Sequence, residues 1–164
     1  MPNKLGEMPR VPWITEDGYL DLTKFPIDSV LTQALSTDPS MFRSGCVMLG
    51  SMQVRGRVEA GVFLVGLFYH WRDDIERLAT IVEQLPQDCK TAEMLVGELY
   101  RVKSSNSSRR YLNAVIKRLT SYPRLLIEEH FARLSRDQFF SSRMRAKFRA
   151  ILDELRYGRN ASWE

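Results

Sequence analysis

The sequence predicts an all-α protein: a single domain of about six to seven helices. Three observations carry this. Apolar residues recur at i, i+3, i+4 and i+7 over most of the chain. No stretch alternates convincingly at period two, so sheet content should be negligible. Helix-start residues stand ahead of several of the periodic segments, as in Asp38-Pro39, Ser107-Ser108 and Ser141-Ser142. A chain of 164 residues is long enough to bury about two-thirds of the surface its unfolded form exposes, so it needs no covalent staple.

The elements follow in order. Residues 1–26, with Pro2, Pro9 and Pro12, read as an irregular segment that packs on the helical domain, which spans 27–158. Ile27, Val30, Leu31, Ala34 and Leu35 form the stripe of a first amphipathic helix. Asp38 caps a second, short helix through Met41, Phe42, Val47 and Leu49, with Gly50 as its expected end. The segment 56–71 is apolar nearly all round, through Val58, Val62, Leu64, Leu67, Phe68 and Trp71, which marks it as central. The pattern resumes at Asp73 with Ile75, Leu78 and Val82 and halts at Pro86. Another helix begins near Thr91 and carries Leu95, Leu99 and Val102 to the polar stretch "KSSNSS". Ser107 or Ser108 caps the next, whose stripe is Tyr111, Leu112, Val115, Ile116, Leu119 and Tyr122. Pro123 breaks it and starts a helix through Leu126, Ile127, Phe131 and Leu134, giving an expected tight helical hairpin. Ser141 or Ser142 caps the last, with Met144, Phe148, Ile151, Leu152 and Leu155 inward and Gly158 at its end. Residues 159–164, "RNASWE", read as a frayed tail.

Internal similarity points to a repeat. Setting Ala114 against Ala150 also pairs Arg109 with Arg145, Leu112 with Phe148, Val115 with Ile151, Ile116 with Leu152 and Leu119 with Leu155. "GRVEAGVFLVGL" has the same flavour, an arginine near the helix start and then the small Ala60. In these residues the chain, over 38–156, resembles the HEAT-repeat family, whose second helices often carry an arginine and an alanine. The resemblance implies antiparallel helix pairs stacked as a short α-α superhelix, a binding scaffold for protein or nucleic acid. An irregular helical bundle is the alternative.

Little in the sequence suggests chemistry. Asp73 and Asp74 lie three and four positions after His70, a spacing compatible with a metal or general-base pair, but no third ligand can be named, and the neighbours favour His70 closing one helix and an aspartate capping the next. "EEH", Glu128 to His130, reads as a solvated helix face. There is no nucleophile elbow, no Gly-rich phosphate loop and no Cys/His ligand spacing. Some HEAT-like proteins are DNA-repair glycosylases, yet no catalytic aspartate or stacking tryptophans of that kind can be assigned here. No catalytic, cofactor-binding or metal-binding residue is therefore predicted. Cys46 and Cys89 read as reduced, partly buried packing residues, which with the lack of an apolar leader in "MPNKLGEMPR" suits the cytoplasm. The longest strongly apolar run, residues 60–71, is short of the roughly 20 residues of a membrane span.

Charge is the most informative property. Residues 1–100 hold 9 Lys/Arg against 14 Asp/Glu, net −5, whereas residues 101–164 hold 15 against 6, net +9. At about 100° per residue, Arg145, Arg149 and Arg156 fall on one flank of the last helix's stripe and Arg143 and Lys147 on the other. If that helix lies beside 109–120, then Arg109, Arg110, Lys117 and Arg118 extend one edge into a strip able to track phosphates. The competing reading is that arginine stems cover apolar edges while their heads stay in water. Two functions stay open. The first is a non-catalytic scaffold or adaptor that binds another protein. The second is a DNA- or RNA-binding module that uses the basic C-terminal half. No zinc finger, helix-turn-helix or aromatic-rich single-strand motif is evident.

Overall fold

A computed structural model describes residues 11–158. All regular elements among them are helical, eight in number: α1 (Ile27–Ala34), α2 (Pro39–Val54), α3 (Val58–His70), α4 (Ile75–Val82), α5 (Cys89–Arg101), α6 (Arg109–Thr120), α7 (Arg124–Leu134) and α8 (Ser142–Tyr157). The all-α expectation holds, with one or two more helices than the periodicity suggested. A lone antiparallel bridge joins Ile14 to Leu20 across a turn whose Gly18 has φ +85°. Of the expected irregular segments, residues 1–10 and 159–164 lie outside the described residues. The chain divides after Pro86 into two compact units.

In the first unit α2 is the hub, packing on α1, α3 and α4. Asp38 caps it as expected, accepting from the Ser40 and Met41 amides at 2.8 and 3.0 Å. Gly50 does not end it. α2 runs on to Val54, and Gly50 is buried beneath Gln84, whose Oε1 would lie 2.0 Å from a Cβ at that position. Gly45 likewise lets the α1 backbone approach, since a Cβ there would lie 2.4 Å from the Ala34 nitrogen. Small residues thus make α2, not α3, the centre. The uniformly apolar α3 buries Ala60, Leu64, Leu67 and Phe68 but exposes Val58, Val62 and Tyr69. Arg77 of α4 fastens the unit. Its guanidinium lies 4.6 Å from the Phe42 ring and 4.2 Å from that of Trp71, and it donates to the carbonyls of Ser36 and Thr37 at 3.0 and 2.9 Å. Arg57 holds the preceding segment by donating to the carbonyls of Phe25 and Leu22.

In the second unit α5 packs on α6, α7 on α8, and α5 on α7. The proline-joined α6 and α7 are therefore not the main packing pair: Pro123 ends one pair and opens the next. Asp88, which the sequence reading passed over, forms a capping box with Thr91 and starts α5 two residues early. Ser108 precedes α6 without capping it. Its hydroxyl is buried and donates instead to the Lys103 carbonyl at 2.6 Å, securing the 103–108 loop. Ser141 does cap α8, accepting from the Met144 amide at 3.2 Å.

The cysteines differ more than expected. Cys46 is fully buried in α2, and burial pushes its thiol up to about 12, whereas Cys89 is exposed at the start of α5. A thiolate is the reactive form, so a disulfide-exchange reagent at neutral pH should titrate one thiol per native chain and two after denaturation. Two rapidly reacting thiols in the native protein would show that α2 is not packed as described.

Candidate functional site: a basic edge and an aromatic cleft

The basic residues of the second unit sort into three groups. Lys147 of α8 donates from Nζ to Asn113 Oδ1 of α6 at 3.1 Å. Asn113 is one turn from Arg109 and one turn from Lys117. This bond brings Lys147 within reach of the α6 face that carries Arg109, Arg110 and Lys117, and Arg143 lies one turn before Lys147 on α8. All five cations are exposed. The opposite flank of α8 faces α7, where Arg156 donates to Glu128 Oε1 at 3.1 Å. Glu128 also accepts from Arg124 at 2.8 Å, and these two arginines hold its carboxyl below the usual range. Arg149 is exposed on that flank and Arg145 is half-buried. Arg118 turns inward, its guanidinium 5.8 Å from the Tyr122 ring. The expected strip is thus split: five of its nine residues share one edge, three lie toward α7, and Arg118 covers an aromatic ring.

That edge begins at two helix N-termini. Neither α6 nor α8 carries an acidic residue in its first turn; Arg109, Arg110, Arg143 and Arg145 stand there instead. A cation at a helix N-terminus opposes the macrodipole, an effect of about 0.3–1 kcal/mol for each charge. An anion contacted by both ends would offset the effect.

Between these same ends opens a cleft of 420 Å³. Leu99, Leu112 and Met144 form its floor and Tyr100, Phe139 and Phe140 its aromatic wall, while Arg101 and Lys103 also line it. The three rings pack on one another with centroids 5.0 to 5.1 Å apart, and Phe140 continues to the buried Phe148 at 5.1 Å. Asp137 shapes the loop that brings them together. Its carboxylate accepts from the Tyr100 hydroxyl at 2.5 Å and from the Phe139 amide at 2.9 Å, and both bonds hold it below its ordinary range. Burial and the Asp137 bond push the Tyr100 phenol up to about 12, so it stays a donor at neutral pH. Because the Asp137 carboxyl is depressed in the folded state, its contribution is present above the unfolded value and is lost as pH falls through the folded one. Phe139, at the outer end, is 63% exposed.

The cleft is fixed from behind by Glu98, which is 1% exposed. Arg101 donates to it through Nε and Nη2 at 2.8 and 2.6 Å, and the buried Tyr111 hydroxyl donates at 2.7 Å. Arg101 is thereby committed to a carboxylate, leaving Lys103, Arg109, Arg110 and Arg143 to meet an external anion.

The His70 constellation does not assemble. His70 is exposed and stacks edge-on against Trp71 at 4.8 Å, while Asp74 caps α4 and pairs with Arg77 at 3.3 Å. Among the described residues no group of three or more His, Cys, Asp or Glu side chains is placed to hold a metal ion, and no helix is long and apolar enough to cross a membrane.

No family model, curated protein or solved structure matches the chain. The functional reading therefore rests on geometry. The aromatic cleft escaped the sequence reading because Tyr100 and the Phe139–Phe140 pair are separated by nearly forty residues. Its one sequence signal was two adjacent phenylalanines in a polar, non-periodic loop, "SRDQFFSS".

Proposed function

We propose that this protein is a non-catalytic helical scaffold whose second unit binds a polyanionic partner, nucleic acid, along the edge formed by Arg109, Arg110, Lys117, Arg143 and Lys147. The observation that carries this reading is the Lys147–Asn113 bond, which links the α8 flank bearing Arg143 to the α6 face bearing Arg109, Arg110 and Lys117, all of them exposed. The net charge of +9 over residues 101–164 supports it. So do the first-turn arginines of α6 and α8, which oppose the helix dipoles unless an anion is bound. Alternating helix pairs suit a scaffold of the HEAT-like kind, in which surface rather than a catalytic centre does the binding. A cytoplasmic setting accords with this role.

The test is fluorescence anisotropy with a labelled oligonucleotide across a salt series. Each phosphate neutralised adds about 0.7 to 0.9 to the slope of log affinity on log salt, so contacts from this edge should give a steep slope. A flat dependence, or no binding at about 50 mM salt where the electrostatic attraction is strong, would defeat the proposal.

A second reading has its own observation. Val58 and Val62 of α3 are 76% and 65% exposed, and Tyr69 further along the helix is also exposed. An apolar stripe in water favours a protein partner, and this supports the adaptor function. Val62→Glu should abolish such a contact while leaving nucleic-acid affinity unchanged.

A further inference from the structure

The basic edge accounts for charge but not for the cleft beside it. Three observations there call for an occupant. Phe139 leaves most of its ring in water although its neighbour Phe140 reaches the core ring of Phe148. The loop that presents it is pinned by two hydrogen bonds to Asp137, so the ring's position is built and not incidental. The cleft has a volume of 420 Å³, is lined by Phe139, Tyr100 and Met144 together with polar groups that include Lys103, Ser104 and Ser141, and opens near the start of α8.

We propose that this cleft takes an unpaired nucleobase, stacked on the exposed side of the Phe139 ring that Tyr100 and Phe140 hold from behind, so that the nucleic acid held by the basic edge is single-stranded. This rests on the polyanion reading above and adds the strandedness of the ligand. The chemistry is complementary. A base offers a flat π-face to an exposed aromatic ring, and stacking of that kind is sequence-tolerant, which suits a cleft whose wall is rings and methylenes. The phosphates flanking the base then meet Lys103, which lines the cleft, and Arg109, one turn before the cleft residue Leu112 on α6. A duplex cannot use the cleft without unpairing, because its base faces are already covered by their neighbours.

The experiment compares a labelled single strand of about ten nucleotides, within the range a small stacking module covers, with a duplex of the same length at fixed salt. Both are titrated with the unaltered protein, Phe139→Ala and Phe139→Trp. The single strand should bind more tightly than the duplex. Phe139→Ala should weaken single-strand binding about 5- to 150-fold, the range for one lost base–aromatic stack, with an unchanged salt slope and a native circular dichroism spectrum. Phe139→Trp should restore the affinity. Equal affinity for both strand forms together with an indifferent Phe139→Ala variant, while the steep salt slope persists, overturns the base pocket and leaves the basic edge standing. Absence of binding to either oligonucleotide at about 50 mM salt overturns both. A poly-glutamate peptide that competes as well as the single strand would show that charge alone is recognised, and also overturns the pocket.

Discussion

Phe148→Ala should destabilise the second unit by about 3 to 5 kcal/mol, the range for removing a buried phenylalanine ring. Phe148 has no exposed surface, and its ring packs on Phe131 of α7 at 6.2 Å and on Phe140 at 5.1 Å. The cavity it leaves would lie among the rings of Phe131 and Phe140, which lose those contacts outright unless the helices shift. The same substitution should loosen Phe140 and with it the aromatic wall. Denaturant unfolding is the measurement, and a change below about 1 kcal/mol, the scale of an exposed substitution, would mean that α8 turns a different face inward.

Arg101→Met should also destabilise, for a different reason. Glu98 sits at the α5–α6 contact almost wholly out of water, and Arg101 supplies two of the hydrogen bonds that compensate its burial. The Arg101 side chain itself is 34% exposed, so water takes up part of the uncompensated charge and the loss is smaller than for a fully buried pair, about 1 to 3 kcal/mol. Converting Glu98 to Leu and Tyr111 to Phe in the Arg101→Met background should recover much of this loss, since the site then holds neither an unpaired charge nor an unpaired hydroxyl. Arg101→Met alone should also disturb the cleft, because the last turn of α5 supplies Leu99 and Tyr100 to it. If Arg101→Met unfolds at the same denaturant concentration as the unaltered chain, Glu98 is not held as described.

Most helices could be read from the sequence, and the exceptions have identifiable causes. Periodicity reports which face of a helix is apolar, so α1, α4, α6 and α8 emerged with nearly correct limits. It does not report whether an apolar face finds a neighbour. Its apolar circumference marks α3 as central, yet Val58, Val62 and Tyr69 remain exposed. Centrality went to α2, which qualifies through what it lacks: Gly45 and Gly50 have no Cβ to hold off Ala34 and Gln84. A glycine after an apolar run resembles a helix end in sequence and becomes a packing site only when a partner is known. The candidate site was half legible. The two basic flanks of α8 followed from angle alone, but the neighbour of each is a tertiary fact, decided by Lys147 reaching Asn113 and Arg156 reaching Glu128. The aromatic cleft was not legible, since its rings come from the end of α5 and from a loop without period.

The division between those two flanks gives the most direct test of the account. Arg109→Gln with Arg143→Gln removes two charges from the α6–α8 edge; Arg149→Gln with Arg156→Gln removes two from the α7 side of the same helix, an equal change in net charge. The measurement is the slope of log affinity on log salt for a single-stranded oligonucleotide. The edge variant should lose about 1.4 from the slope, two single-strand phosphate contacts' worth, while the α7-side variant should keep it nearly unchanged. Equal losses from both variants would contradict the account, because they would show that the oligonucleotide responds to overall charge and not to the edge that Lys147 and Asn113 bring together.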